Sequence, residues 1–184
     1  DVGVKEEAGG NGLLPTSSTT AMVAMGDALV VAYLELHGFK DEVFAHNHPG
    51  GSLGRKMLTT IGDLMHTGEQ VPIVYENSDL SVIISEMTQK RLGVTLITNK
   101  KKQLKGIITD GDLRRMIEDK KDISKICALD LSKSFPKWLE QNNLATKAVQ
   151  LMEKYSITSL VVSTNGKKID GIIHLHDLLK AGII

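Results

Sequence analysis

Residues 106–113 read Gly-Ile-Ile-Thr-Asp-Gly-Asp-Leu, and residues 171–178 read Gly-Ile-Ile-His-Leu-His-Asp-Leu. Gly, both Ile, Asp and Leu recur in register at a spacing of 65 residues. The register extends outward, so that Met87 matches Met152 and Lys102 matches Lys167. A repeat of this period means two copies of one supersecondary unit. Each copy holds about 60 residues and is marginal alone, so the two are expected to pack together around a shared cleft.

Within copy one, the pattern predicts an extended lead at 71–75, a helix over 80–90 and a strand over 94–98. A polar turn, a strand over 106–108 and a helix over 111–118 follow. Copy two is expected to match, with a helix at 144–154, strands at 160–163 and 171–173, and a helix at 176–181. The run of Lys100, Lys101, Lys102 and Lys105 reads as a solvated hairpin tip, since polar punctuation between apolar runs marks a turn.

The chain has 184 residues, 41% apolar, 24% charged, with zero formal net charge. That is an ordinary globular composition, and the neutral balance argues against a nucleic-acid binder. One cysteine, Cys127, leaves no internal disulfide and suits a reducing compartment. No stretch is expected to approach the roughly 20 apolar residues of a membrane span, and no signal peptide is recognised. The first residue is Asp rather than Met, so the chain is expected to begin inside a longer protein.

Ahead of the repeat, Pro15-Thr16-Ser17-Ser18 reads as a helix start. Residues 19–37 follow with helical periodicity and apolar side chains nearly all round. Such a helix must be covered on several sides, which predicts self-association or a further domain. Gly38 stops it, a short amphipathic turn carrying Phe44 follows, and then comes His48-Pro49-Gly50-Gly51. His46, beside it, reads as a solvated neighbour.

The repeat resembles the CBS domain, and Gly106-Ile107-Ile108-Thr109 with Asp112 is similar to that family's G-h-h-T-x-x-D signature. The resemblance covers roughly residues 59–184. It implies a tandem CBS pair of α/β (α+β) class, built from β-α-β-β-α units, whose cleft binds adenine nucleotides or related ligands. Thr109 would reach phosphate or ribose, and Asp112 would accept from ribose hydroxyls. In copy two Asp177 keeps its place, but His174 replaces the Thr. Asp112 and Asp177 have a second reading, as charges complementing a first helical turn. His174 and His176 share a strand face, but two histidines without a third ligand do not make a metal site, and none is expected.

Pro15–Ala21, Met25–Leu29 and His48–Arg55 resemble the end of a SIS (sugar isomerase) domain. Followed by Asp63–Gly68 and a CBS pair, they are similar to the D-arabinose 5-phosphate isomerase family. The implied organisation is 1–58 as the C-terminal remnant of a SIS domain, 59–122 as the first CBS domain and 123–184 as the second. The resemblance implies an aldose–ketose isomerase acting on D-ribulose 5-phosphate and D-arabinose 5-phosphate for Kdo and lipopolysaccharide biosynthesis, without an organic cofactor. His48 matches a catalytic histidine of that family, with Asn47 where the family has Ser. Thr16, Ser17 and Ser18 are candidates to approach the sugar phosphate, because they open a helix. The family's other catalytic residues are expected upstream, so the chain alone is expected to be inactive. Further expectations are a cytoplasmic homo-oligomer, tetrameric in the full-length family, and a nucleotide or CMP-Kdo in the CBS cleft. The competing reading is a nucleotide-sensing CBS module without catalysis.

Overall fold

The computed structural model describes residues 1–9, 11–38, 51–119, 126–132 and 134–184. His48, with His46, Asn47, Pro49, Gly50 and the turn carrying Phe44, lies outside the described residues. The chain divides into two units, Asp1–Phe44 and Ala45–Ile184.

The first unit carries α1 (Ser17–His37), which has no buried residue. Leu29, Val30, Tyr33 and Leu36 are all exposed, so the cover that the apolar periphery calls for is not supplied by the described residues. Gly38, at φ +75°, ends the helix with a backbone geometry that a Cβ would oppose. One expectation needs correction. By length and composition α1 is apolar enough to cross a membrane, with mean hydropathy 1.4. Small residues such as Ala21, Ala24 and Ala28 sit among the larger apolar ones and break up the run of bulky side chains. The same test is met by core helices, so it does not by itself assign a membrane.

Among the described residues of the second unit, the first elements are α2 (Ser52–Leu58), which the sequence pattern does not announce, and α3 (Ile61–Leu64). Copy one continues with β1 (Ile73–Tyr75), α4 (Leu80–Lys90), β2 (Val94–Thr98), β3 (Leu104–Thr109) and α5 (Asp110–Glu118). Copy two comprises α6 (Ala128–Leu131), β4 (Trp138–Leu139), α7 (Ala145–Tyr155), β5 (Ser159–Val162), β6 (Gly171–His174) and α8 (Leu175–Lys180). Each copy forms a three-stranded sheet with one parallel pair, β1–β2 or β4–β5, and one antiparallel pair, β2–β3 or β5–β6. The central strands β2 and β5 are buried along their whole length, which is why they read as continuous β-branched and leucine runs rather than alternating ones. The repeat extends to the backbone: α4 and α7 both end on a left-handed residue, Arg91 at φ 58° and Ser156 at φ 51°.

The short lead helices are exchanged. α3 precedes copy one in sequence, yet Ile61 packs with Leu139, Leu160, Ile173 and Leu178 of copy two. Its backbone bonds there too, Ile61 N–H donating to Asn143 and His66 pairing with Ile172. α6 reciprocates, with Ala128 and Leu131 packed among Val74, Ile83, Ile97 and Met116 of copy one. A third cluster joins the sheets face to face through Val94 and Leu96 against Val161 and Ile172. Burying these faces and crossing the leads stabilises two units that would each be too small alone.

Candidate functional site

Between the copies lies a cleft of about 530 Å³. Copy one contributes Val94, Ile107, Thr109, Asp112 and Arg115, and the facing wall runs from Ser134 to Lys137 and from Tyr155 to Ser159. Thr109 ends β3 and caps α5, a consequence of a hydroxyl followed three residues later by Asp. Its backbone N–H and its hydroxyl donate to Asp112 Oδ2 at 2.9 and 2.6 Å, and Asp112 N–H returns a bond to the hydroxyl at 3.3 Å. Arg115, one turn along, donates to Asp112 Oδ1 at 2.7 Å.

Burial pushes the Asp112 carboxyl up, but the bonds from Thr109 and Arg115 outweigh it and hold the group below its ordinary value. Asp112 is therefore ionised at neutral pH. It satisfies the capping role, and Oδ1 keeps room to accept a further hydroxyl. Arg115 spends Nη2 on Asp112 and retains other donors of its fork. Lys137 places its ammonium 4.4 Å from the centre of the Tyr155 ring. Two cations, a helix start and apolar walls together suit an anionic ligand with a flat apolar part.

Copy two is built differently at the matching place. Asp177 Oδ2 takes the His174 backbone N–H at 3.1 Å and lies 3.0 Å from His66 Nε2. His66 arrives on the exchanged lead and covers the carboxylate that would answer Asp112. His174 Nδ1 accepts the His176 N–H at 3.0 Å. Desolvation, opposed by Asp177, holds the His174 imidazole below its ordinary value, so it presents a neutral ring rather than a cation to a phosphate. His176 is exposed, and among the described residues no group of three His, Cys, Asp or Glu side chains is placed to hold a metal.

In the first unit, Thr16 and Ser18 open α1 as expected, but their amides already serve a carboxylate. Glu7 Oε2 accepts from Thr16 N–H at 2.7 Å and Ser18 N–H at 3.2 Å, and Thr16 Oγ1 donates to it at 3.1 Å. The Ser18 hydroxyl first, then the Thr16 N–H and the other bonds, hold the Glu7 carboxyl down at about 2. The helix start does attract an anion, as its unpaired amides require, and the anion is internal. Ser17 is half-buried beside them.

Sequence reasoning singled out neither Arg115, Lys137, Ser159 nor Glu7. Arg115 was open to it, three residues after Asp112 on a helix face. Lys137, Ser159 and Glu7 carried no local signal, because their roles depend on contacts made across the fold.

The CBS domain model matches residues 61–119 and 130–183. The chain is 44% identical over 183 residues to a Yersinia pestis protein named arabinose 5-phosphate isomerase KdsD, a match covering 100% of this chain and 56% of that one. The chain thus spans about half the length of the curated relatives it matches. Among solved structures, CBSX2 in complex with AMP superposes with TM-score 0.60 at 20% identity, over 68% of this chain and 96% of that one. A CBS domain protein from Pyrobaculum aerophilum complexed with AMP gives 0.58 at 19% identity, over 65% of this chain and 89% of that one. These structural likenesses carry the fold. With both copies matched over more than half of its length, the chain belongs to the CBS domain family.

Proposed function

We propose that the chain is part of an aldose–ketose isomerase that interconverts D-ribulose 5-phosphate and D-arabinose 5-phosphate, with the CBS pair as its ligand-sensing module. The observation that carries this is the 44% identity to a protein named arabinose 5-phosphate isomerase over 100% of this chain, which includes the segment ahead of the repeat as well as the CBS pair. In this reading His48 moves a proton between substrate carbons, a task that suits an imidazole near neutral pKa. Thr16, Ser17 and Ser18 approach the sugar phosphate once Glu7 yields their amides. The apolar periphery of α1 is covered by another copy, which makes a homo-oligomer, or by a further domain, and the protein works in the cytoplasm.

The cleft at Thr109 is the sensing site. Arg115, Lys137 and the start of α5 favour an anionic nucleotide, with AMP, ATP and CMP-Kdo as the probes. Copy two's carboxylate, covered by His66, is not part of it. A coupled assay and calorimetry on the 184-residue chain test the two halves separately. The chain alone is expected to give no turnover and to bind at least one of the three probes. Turnover by this chain would overturn the proposed inactivity. Absence of binding by all three would overturn the sensing role. The competing reading, a nucleotide-sensing module with no part in catalysis, predicts that a longer chain also lacks isomerase activity.

A further inference from the structure

The floor of the open cleft holds a polar group that the fold does not use. Ser159 begins β5, is only 7% exposed, and lines the cleft. Its backbone is in the sheet, opposite His174 of β6, yet its hydroxyl has no hydrogen-bond partner among the described residues. The matching residue of copy one, Val94, lines the same cleft with an apolar side chain. A buried orphan hydroxyl costs free energy that a methyl would not. It is also unlike the Thr109 hydroxyl of the same cleft, which is committed to its capping box.

We infer that Ser159 is a specificity-determining residue whose hydroxyl reads the hydrogen-bonding edge of a nucleobase in the cleft. This rests on the reading of the cleft as a nucleotide site. Phosphate is met by the groups that carry charge, Arg115 and Lys137. Ser159 instead sits on the strand among Val94, Ile107 and Ile157. In that company a charged phosphate would be desolvated without compensation, whereas a flat heteroaromatic ring packs and offers donors and acceptors at its edge. A serine hydroxyl both donates and accepts, so a χ1 rotation that turns the buried oxygen toward the cleft lets it meet a ring nitrogen or an exocyclic amine.

The test compares wild type with Ser159→Ala, using AMP and ribose 5-phosphate as probes, with calorimetry for binding and thermal melting for the free protein. The variant is expected to melt at or slightly above the wild-type temperature, because the hydroxyl stabilises nothing in the free fold. It is expected to bind AMP about tenfold more weakly, the size of one lost neutral hydrogen bond, while ribose 5-phosphate binding, which lacks the base, stays unchanged. Equal AMP affinity in the two proteins overturns the inference. So does a variant that melts several degrees lower, since the hydroxyl would then be bonded within the fold. An equal loss for both probes overturns it too. Failure of wild type to bind AMP overturns this inference, and the nucleotide reading falls as well if ATP and CMP-Kdo also fail to bind; both outcomes are distinct from wild-type AMP binding that the substitution leaves untouched.

Discussion

The exchange of lead helices makes a prediction that sequence order alone would invert. Ile61 belongs to the copy-one stretch of the chain but is fully buried, at 0% exposure, in the core of copy two. Ile61→Ala removes three carbons from that core. At about 0.8 kcal/mol per buried methylene the transfer loss is roughly 2.4 kcal/mol, and the cavity left behind raises the total to about 3–4 kcal/mol. For a unit of this size that corresponds to a fall in Tm of roughly 10 °C. The site has a useful reporter, because the only tryptophan, Trp138, lies in β4 of copy two. Urea unfolding followed by Trp138 fluorescence measures the loss, and native-state amide exchange locates it. Exchange is expected to rise more in β5 and β6 than in β2 and β3. Leu131→Ala, from the copy-two stretch, is expected to do the reverse, because Leu131 packs among Val74, Ile83 and Ile97. If Ile61→Ala loosens β2 and β3 first, or costs less than about 1 kcal/mol, the exchange of leads is refuted.

Two further predictions follow from the same region. A Cβ at Gly171 would sit 2.6 Å from the His66 carbonyl oxygen and 2.9 Å from Met65 Sδ, whereas at Gly106 it would meet the Ser132 side chain. Both alanine variants are expected to lose about 1–3 kcal/mol in urea unfolding. Adding Ser132→Gly is expected to rescue Gly106→Ala, while truncating Met65 leaves the backbone clash of Gly171→Ala in place; an unrescued Gly106→Ala would contradict this packing. Stability is also expected to fall as pH drops from 7 to 5. His174 is held below its ordinary value of 6.5, so the unfolded chain binds a proton more readily, and its contribution is full above about 6.5 and lost as pH falls through the depressed folded value. His174→Thr is expected to flatten that slope in urea midpoints taken across the range. An unchanged slope would remove His174 as the cause. The carboxylates held low, Glu7 from 4.5 and Asp63, Asp79, Asp112 and Asp170 from 3.8, titrate below this window.

The repeat made most of the fold legible. It placed α4 and β2 at their observed bounds and the other predicted elements of the two copies within about two residues, because hydrophobic period and αL caps recur with it. Thr109 and Asp112 were legible as well, since a hydroxyl and a carboxylate three residues apart dictate a local capping box whatever surrounds them. What a repeat cannot convey is which core a lead segment joins. Two identical patterns are equally compatible with leads kept or leads exchanged. His66 and Asp177 meet across 111 residues, a pairing that no local pattern announces. Ser159 read as a residue just outside a strand, and its distinguishing property, a hydroxyl left without a partner, exists only once the cleft is formed.

The exchange also accounts for the glycine that begins both copies of the motif and for the inequality of the two clefts. Each lead crosses the third strand of the other copy at that glycine, Ser132 at Gly106 and Met65 with His66 at Gly171. A side chain at either position would hold the lead away, so the glycine recurs in register for the same steric reason in both copies. The leads themselves differ. His66 follows Met65 over Gly171 and reaches Asp177 with its imidazole, occupying the carboxylate from outside the copy that supplies it. Asp112 is met instead by Arg115 from its own helix, which leaves the carboxylate on the wall of an open cleft with a guanidinium beside it. One architecture thus yields one acidic position met by an imidazole from the crossing lead and one met by a guanidinium from its own helix, and both carboxylates are largely buried. Replacing His66 by Ala would remove the imidazole from Asp177 and leave Lys180, which stands 65 residues after Arg115, as the cation of that helix. What the second position binds would then follow from the charge complement of Asp177 and Lys180 rather than from the empty space.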